Sequence, residues 1–427
     1  MTDDYSEKKS IFKRIWLIMA SVGPGIFCIG YTIGTGSVTS MAIAGSRYGM
    51  RLVWVLFLSC LFAWVLMEAY GRFGVITGET SMHGFKTRIR FGKQIAILTM
   101  IGVIIAQWNA LTGILGLSAN AIYEGLRMFI PGFNLPQYSA VLGIAVIVIL
   151  IMYSLVLVGR YSFFEKVLIF FVTLMGASFI ISMFVVMPSP KEVAAGFLPN
   201  IPSTEGGKLM VAAFVGTTMA APTFIIRPLL MKGKGWKAAQ TGEQSKDALI
   251  SAVLMFVISF SIMGAATGAL FHRGQVITKV LDMVYTLEPI AGKYAVAIFL
   301  VGTLSAGLSS VFPAMMVAPL LIADYRSGEL DTQSGLFKML TAGACLFGLI
   351  VPLFGVNPIA AQIVTQVANV FVLPVVIFSI TYLVNRRDYM GQYKAGIALN
   401  AGLVSAFVFS CIISYTGILA LIELFGG

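Results

Sequence analysis

Gly23-Pro24-Gly25, running on to Gly30-Tyr31-Thr32-Ile33-Gly34-Thr35-Gly36-Ser37, and Gly216-Thr217-Thr218-Met219-Ala220-Ala221-Pro222-Thr223 are the two stretches that decide the fold. Both sit inside apolar runs, 14–45 and 207–231, and a run of about 20 apolar residues is enough to cross a bilayer as a helix. Glycine at this density weakens a helix, and proline removes a backbone donor. In lipid the freed N–H and C=O groups must find partners inside the protein or in a water-lined cavity. Two interrupted spans at matching places in two halves of a chain are the sequence mark of an inverted-repeat transporter, with its binding site at mid-membrane where both helices unwind. The plainer alternative is a pair of glycine-rich packing helices with ordinary kinks.

The rest of the sequence agrees with membrane insertion. The chain has 427 residues, 58% hydrophobic and 11% charged, with a mean hydropathy of +0.91. Soluble domains carry about 25% charged residues, so soluble enzymes, nucleic-acid binders and disordered scaffolds are poor readings. Apolar segments fall at 14–45, 50–75, 95–122, 138–158, 161–187, 207–231, 247–271, 291–322, 335–354, 357–384 and 395–424, which predicts an all-α membrane protein of eleven spans. No segment shows the strand alternation a barrel requires. Residues 1–427 read as a single transporter domain, with repeat one at about 14–187, repeat two at about 207–384 and an extra helix at about 395–424. The polar N-terminus, Met1 to Arg14, precedes a run without a small-residue cleavage site, so a retained first span is expected.

The net charge of +11 has its meaning in where the basic residues lie. With the N-terminus inside, the inner segments hold twenty of the 29 Lys and Arg residues, the outer segments eight, and Arg227 stays within a span. The bias predicts a cytoplasmic N-terminus and an outer C-terminus, in a bacterial inner (plasma) membrane. Cys28, Cys60, Cys345 and Cys411 lie in apolar runs and read as small buried hydrophobes. His83 and His272 are too far apart to suggest a zinc cluster. No nucleophile, base or cofactor motif is evident, so an enzyme is not expected, nor is a nucleic-acid partner.

Further motifs carry a resemblance. Gly23-Pro24-Gly25, Ala44-Gly45 and Tyr48-Gly49 are followed by Gly71-Arg72-Phe73-Gly74-Val75-Ile76-Thr77-Gly78, Glu165-Lys166, Gly196-Phe197-Leu198-Pro199 and Ala306-Gly307-Leu308-Ser309-Ser310. Gln366-Val367, Pro374, Arg386, Met390 and Gly391 complete the series. In this order the chain resembles the Nramp family of metal transporters along nearly its whole length. The resemblance implies a LeuT-like fold of two inverted five-helix repeats plus an eleventh helix, working by alternating access.

The family's ligands are not carried over. Its first-span Asp-Pro-Gly-Asn falls on Gly34, Thr35, Gly36 and Ser37, and its sixth-span Met-Pro-His-Asn on Ala220, Ala221, Pro222 and Thr223. A sixth-span histidine tied to proton movement becomes Arg227, and the third span's acidic pair falls in Gln107-Trp108-Asn109-Ala110-Leu111, which has no acid. Neither break contains an acid, and Glu68 and Glu165 are the nearest to membrane depth. Without thioether or carboxylate, affinity for manganese or iron should fall.

Two cargo readings follow. The first is a hard divalent cation, magnesium-like and partly hydrated, in a pocket of Gly34, Thr35, Gly36, Ser37, Thr217, Thr218, Ala220, Pro222, Thr223 and Gln366; magnesium is often held through its waters. The second is a non-metal anion or zwitterion, drawn to the half-helix N-termini and to Arg227. Sodium would then be the coupling ion, held by Ser309 and Ser310 against unwound carbonyls at Thr32 and Ile33; proton coupling of the family type is not expected. The alternative reading has Arg227 snorkel to the interface. A sensor on a transporter fold would predict an added signalling domain, which the sequence does not suggest. Gln107 and Asn109 are expected to bond between helices. The bilayer and a small solute or ion are the partners expected of a monomeric transport unit.

Overall fold

A computed structural model describes residues 25–157, 161–202, 206–277, 282, 288–329 and 331–425. The part of the first span before Gly25, with Gly23-Pro24, lies outside these residues.

Helices account for nearly all of the described chain. The first span is broken in two, α1 (Gly25–Thr32) and α2 (Thr35–Tyr48). Then come α3 (Val53–Thr77), the short α4 (Ser81–Arg88), α5 (Gly92–Phe129), α6 (Gln137–Leu157), α7 (Tyr161–Val185) and the short α8 (Pro190–Ala195). The sixth span is in three pieces, α9 (Gly207–Thr218), α10 (Ala221–Ile225) and α11 (Arg227–Gly233). The chain continues with α12 (Thr241–Leu270), α13 (Glu288–Ser327), α14 (Gly335–Gly348) and α15 (Ile350–Phe354). It closes with α16 (Pro358–Val370), α17 (Leu373–Asn385), α18 (Arg387–Met390) and α19 (Ile397–Phe425). Ten described helical stretches are long and apolar enough to cross a membrane.

Several boundaries differ from those expected, each for a local reason. The third span reaches Phe129 and α13 runs for 40 residues, because polar ends extend a helix once its apolar centre has formed. The seventh begins at Thr241 and not at 247, so its polar first turns are helical. The ninth span breaks at Leu349 and the tenth at Phe371-Val372, just before Leu373 and Pro374 open α17. Proline at the first turn of a helix costs no hydrogen bond.

Packing follows membrane logic. The first and sixth spans are surrounded, and their described residues are almost entirely buried, whereas α19 presents Ile397, Val404, Val408, Ile412, Tyr415 and Ile422 outward, as a lipid-facing helix would. Close approach depends on missing side chains. A Cβ at Gly45 would overlap the Met263 carbonyl, one at Gly268 the Val186 carbonyl and one at Gly216 the Gln366 carbonyl. Small residues at such contacts let backbones meet where no water-driven force assists.

One end of the bundle is strongly basic and tied together. Asp324, near the end of α13, accepts hydrogen bonds from the backbone N–H groups of Met82 (3.0 Å) and His83 (3.1 Å), capping α4 from outside it. Lys86 donates to the Tyr325 carbonyl, Lys232 to the Gly328 carbonyl, and Arg88 pairs with Glu79. At the opposite end Trp54 Nε1 donates to the Asn200 carbonyl, Lys208 pairs with Glu423 and His272 lies 3.4 Å from Glu192. Cys28, Cys60 and Cys345 are buried and unpaired; Cys411 is exposed.

Candidate functional site

The two broken spans come apart side by side. Gly34, extended at φ −98° and ψ −170°, begins α2 with no side-chain cap, and Ala220 (φ −63°, ψ 117°) begins α10 in the same way. Each break therefore leaves backbone groups for internal partners or cargo. The Ser37 and Thr217 hydroxyls share a hydrogen bond of 2.7 Å across the gap, and Ser37 Oγ also donates to the Thr32 carbonyl. Thr223 turns inward on its own helix, donating to the Ala220 carbonyl at 2.6 Å. The Thr218 and Thr32 hydroxyls are buried with no hydrogen-bond partner.

The tenth span supplies amides. Gln362, Gln366 and Asn369 stand at i, i+4 and i+7 on α16, all buried. Gln107 of α5 donates to Asn369 Oδ1 (2.7 Å), and Asn369 donates to Gln366 Oε1 (3.1 Å). Gln107 thus bonds between helices as expected; Asn109 instead donates to the Ile105 carbonyl of its own helix. A Cβ at Gly36 would overlap the Gln366 and Gln362 amides, so these side chains lie directly on the backbone of α2.

Gly34, Gly36, Ser37, Thr217, Thr218, Ala220, Pro222, Thr223 and Gln366 are all buried and gathered around the two breaks; of Thr35 only the backbone is described. Their chemistry is hydroxyl, amide and backbone. Among the described residues no group of three or more His, Cys, Asp or Glu side chains comes together.

Ser309 and Ser310 of α13 reach the end of α1, but the carbonyls they meet are two residues earlier than expected. Ser310 Oγ donates to the Gly30 carbonyl at 2.7 Å and lies 3.4 Å from that of Tyr31, while Ser309 Oγ donates to Ala306 (3.0 Å) and Gly30 (3.4 Å). Thr32 is engaged by Ser37, and the Ile33 N–H bonds back to Ile29. Helical hydrogen bonding thus persists to Ile33, which moves the free carbonyls back to Gly30 and Tyr31.

Arg227 corrects two expectations. It does not snorkel: its side chain is 0% exposed. Nor is it an unbalanced cation, since its Nη2 lies 2.6 Å from Asp247 Oδ2 and also donates to the Gln244 carbonyl (3.2 Å) and Oε1 (3.3 Å). Asp247 also accepts from the Gly25 backbone N–H at 3.1 Å, fixing the start of described α1 to α12. Gln244 donates to Glu68 Oε2 at 2.7 Å, Ser245 to the same oxygen at 2.8 Å, and Arg72 to Glu68 Oε1 at 2.6 Å. A polar chain thus joins the first, second, sixth and seventh spans below the breaks. Glu68 belongs to it, and so does the more deeply buried Asp247, which the expected start of the seventh span placed at a helix end. The spacing Gln244, Asp247, Ser251 on one helical face would have revealed it. The Glu165 side chain lies outside the described residues.

The chain compares as follows with known proteins. Residues 25–420 match the family described as natural resistance-associated macrophage protein-like. The divalent metal cation transporter MntH of Verminephrobacter eiseniae is 22% identical over 414 residues, covering 95% of this chain and 90% of that protein. Among solved structures, a mutant manganese transporter of Eremococcus coleocola superposes with a TM-score of 0.71 at 15% identity, covering 96% of this chain and 88% of the other. MhsT, solved with L-phenylalanine, gives 0.67 at 14% identity, covering 93% and 98%. The fold is LeuT-like, as expected.

Proposed function

Because the chain belongs to the Nramp family, we propose that it is a secondary transporter working by alternating access, whose cargo is a hard divalent cation of the magnesium type that keeps part of its hydration shell. The observation that carries this reading is the neutral oxygen-rich lining of the breaks, with Ser37 and Thr217 hydrogen-bonded across the gap and Gln366 laid over Gly36. Stripping a divalent ion of water costs far more than a few hydroxyls and carbonyls return. Bound waters, however, donate well to such oxygens, and magnesium sheds its own reluctantly. Ala220 adds no soft sulfur that would favour manganese or iron. MntH of Verminephrobacter eiseniae, a named divalent metal cation transporter, supports a metal as cargo.

A non-metal solute coupled to sodium is the second reading, and the Ser309 and Ser310 hydroxyls against Gly30 and Tyr31 favour it. The Arg227–Asp247 pair weighs against an anion, because Arg227 already has its counter-charge in Asp247.

Flux into proteoliposomes separates the two. Magnesium uptake that exceeds manganese uptake, with no dependence on sodium, is the expected outcome. Accumulation of small carboxylates or amino acids only in a sodium gradient would overturn it in favour of the second reading, and Ser310→Ala should then abolish the sodium dependence.

A further inference from the structure

Gln362 is buried in full, yet neither its Nε2 nor its Oε1 has a hydrogen-bond partner. It lies one turn from Gln366 on α16 and sits between two glycines: a Cβ on Gly36 would overlap its amide nitrogen, and a Cβ on Gly113 of α5 its amide oxygen. The neighbouring amides behave differently, for Gln107, Asn369 and Gln366 satisfy one another in series. A buried amide left unpaired pays the full desolvation cost of each unmet group. A leucine of similar size would fill the same notch at no such cost, so packing alone does not account for a glutamine here.

We propose that Gln362 is a second cargo-contacting amide beside Gln366, its oxygen accepting hydrogen bonds from the waters of a hydrated divalent cation held against Gly36. The inference rests on the cargo reading above. Two amides at i and i+4 face the same way on a helix, and a half-turn of the terminal amide exchanges its two ends. Gln362, which has no bond to lose, can thereby direct its oxygen toward the gap between α1 and α2, whereas the Gln366 oxygen is held by Asn369. The bare backbone of Gly36 and Gly113 leaves the amide room to turn, which any side chain at either place would deny. The hydrated ion then meets Ser37 and Thr217 on one side and the Gln362 oxygen on the other.

Magnesium uptake and thermal unfolding are measured together on the full chain, for wild type, Gln362→Leu, Gln362→Met and Gln362→Glu. The expected result is a KM for magnesium raised about tenfold or more in the Leu and Met variants, with a melting temperature equal to or above wild type. The glutamate variant, which keeps an oxygen at the same reach, should stay within about threefold of the wild-type KM. An unchanged KM in both apolar variants, with wild-type magnesium uptake intact, overturns the role of Gln362 and leaves the cargo reading standing. No magnesium uptake by wild type itself overturns both. Should one apolar variant fail to fold, the other and Gly113→Ala, which presses on the same amide and should also raise KM, decide the matter.

Discussion

Arg227 Nη2 and Asp247 Oδ2 lie 2.6 Å apart with both side chains almost wholly out of reach of solvent, and the same carboxylate accepts the Gly25 backbone N–H. This pair joins the lower part of the sixth span to the seventh and to the start of α1. Removing one partner of a buried ion pair leaves an uncompensated charge and costs about 3–5 kcal/mol, while replacing both with apolar groups is often close to neutral. Asp247→Ala should therefore lower thermal stability in detergent sharply, and Arg227→Met with Asp247→Leu should recover most of it. Equal losses in the single and double variants would show that the pair's charge is not what matters.

Ser37 is the position where a fixed charge would change the site most. Its hydroxyl faces Thr217 across the breaks, so Ser37→Asp introduces the anionic oxygen that a transition-metal ion requires. The variant should be less stable than wild type without metal and regain stability as manganese is added, since a ligand that binds only the folded state stabilises it. Calorimetric affinity for manganese should rise at least about tenfold. The same design at Thr35→Asp tests the neighbouring position.

Gly216 meets the Gln366 backbone carbonyl so closely that a methyl group has no space. Gly216→Ala should cost about 1–3 kcal/mol by overpacking and reduce flux, because α16 must shift away from the breaks. Gly143→Ala, on a helix face where a Cβ meets nothing, should be neutral or stabilising by up to about 1 kcal/mol. Unfolding curves of the two variants, compared side by side, check the contrast.

Asp324 reaches from α13 to the first N–H groups of α4. Loss of a cap costs about 0.5–2 kcal/mol, and here the loss is local. Asp324→Ala should leave the main melting transition nearly in place while amide exchange at Met82, His83 and the rest of α4 speeds up about tenfold or more. Unchanged exchange there would mean that the contact contributes little to holding α4.

Much of this architecture was legible in the order of residues, because it depends on short-range rules. Apolar runs of spanning length located the helices, and the glycine and proline clusters marked both breaks, which fall at Ile33-Gly34 and Met219-Ala220. What the order of residues concealed was pairing across distance. Arg227 stood out as a charge inside a span, but its partner comes from another helix after an intervening loop. Gln362 was hidden for a different reason: one polar residue in an apolar helix looks ordinary until its partners are counted, although its spacing with Gln366 and Asn369 places all three on one stripe. The two serines were expected near an unwound carbonyl, and the turn at which unwinding starts was set by hydrogen bonding that local sequence does not reveal.

The uncharged lining of the breaks has an electrical corollary. A carrier that brings no carboxylate to its passenger moves the ion's entire charge through the bilayer's field at each turnover. Each elementary charge gains about 2.3 kcal/mol per 100 mV, so a doubly charged passenger gains roughly 4.6 kcal/mol at that voltage. An inward flux carried in this way would be drawn by an interior-negative potential alone, and clamping the vesicle voltage to zero would slow it even with the chemical gradient untouched.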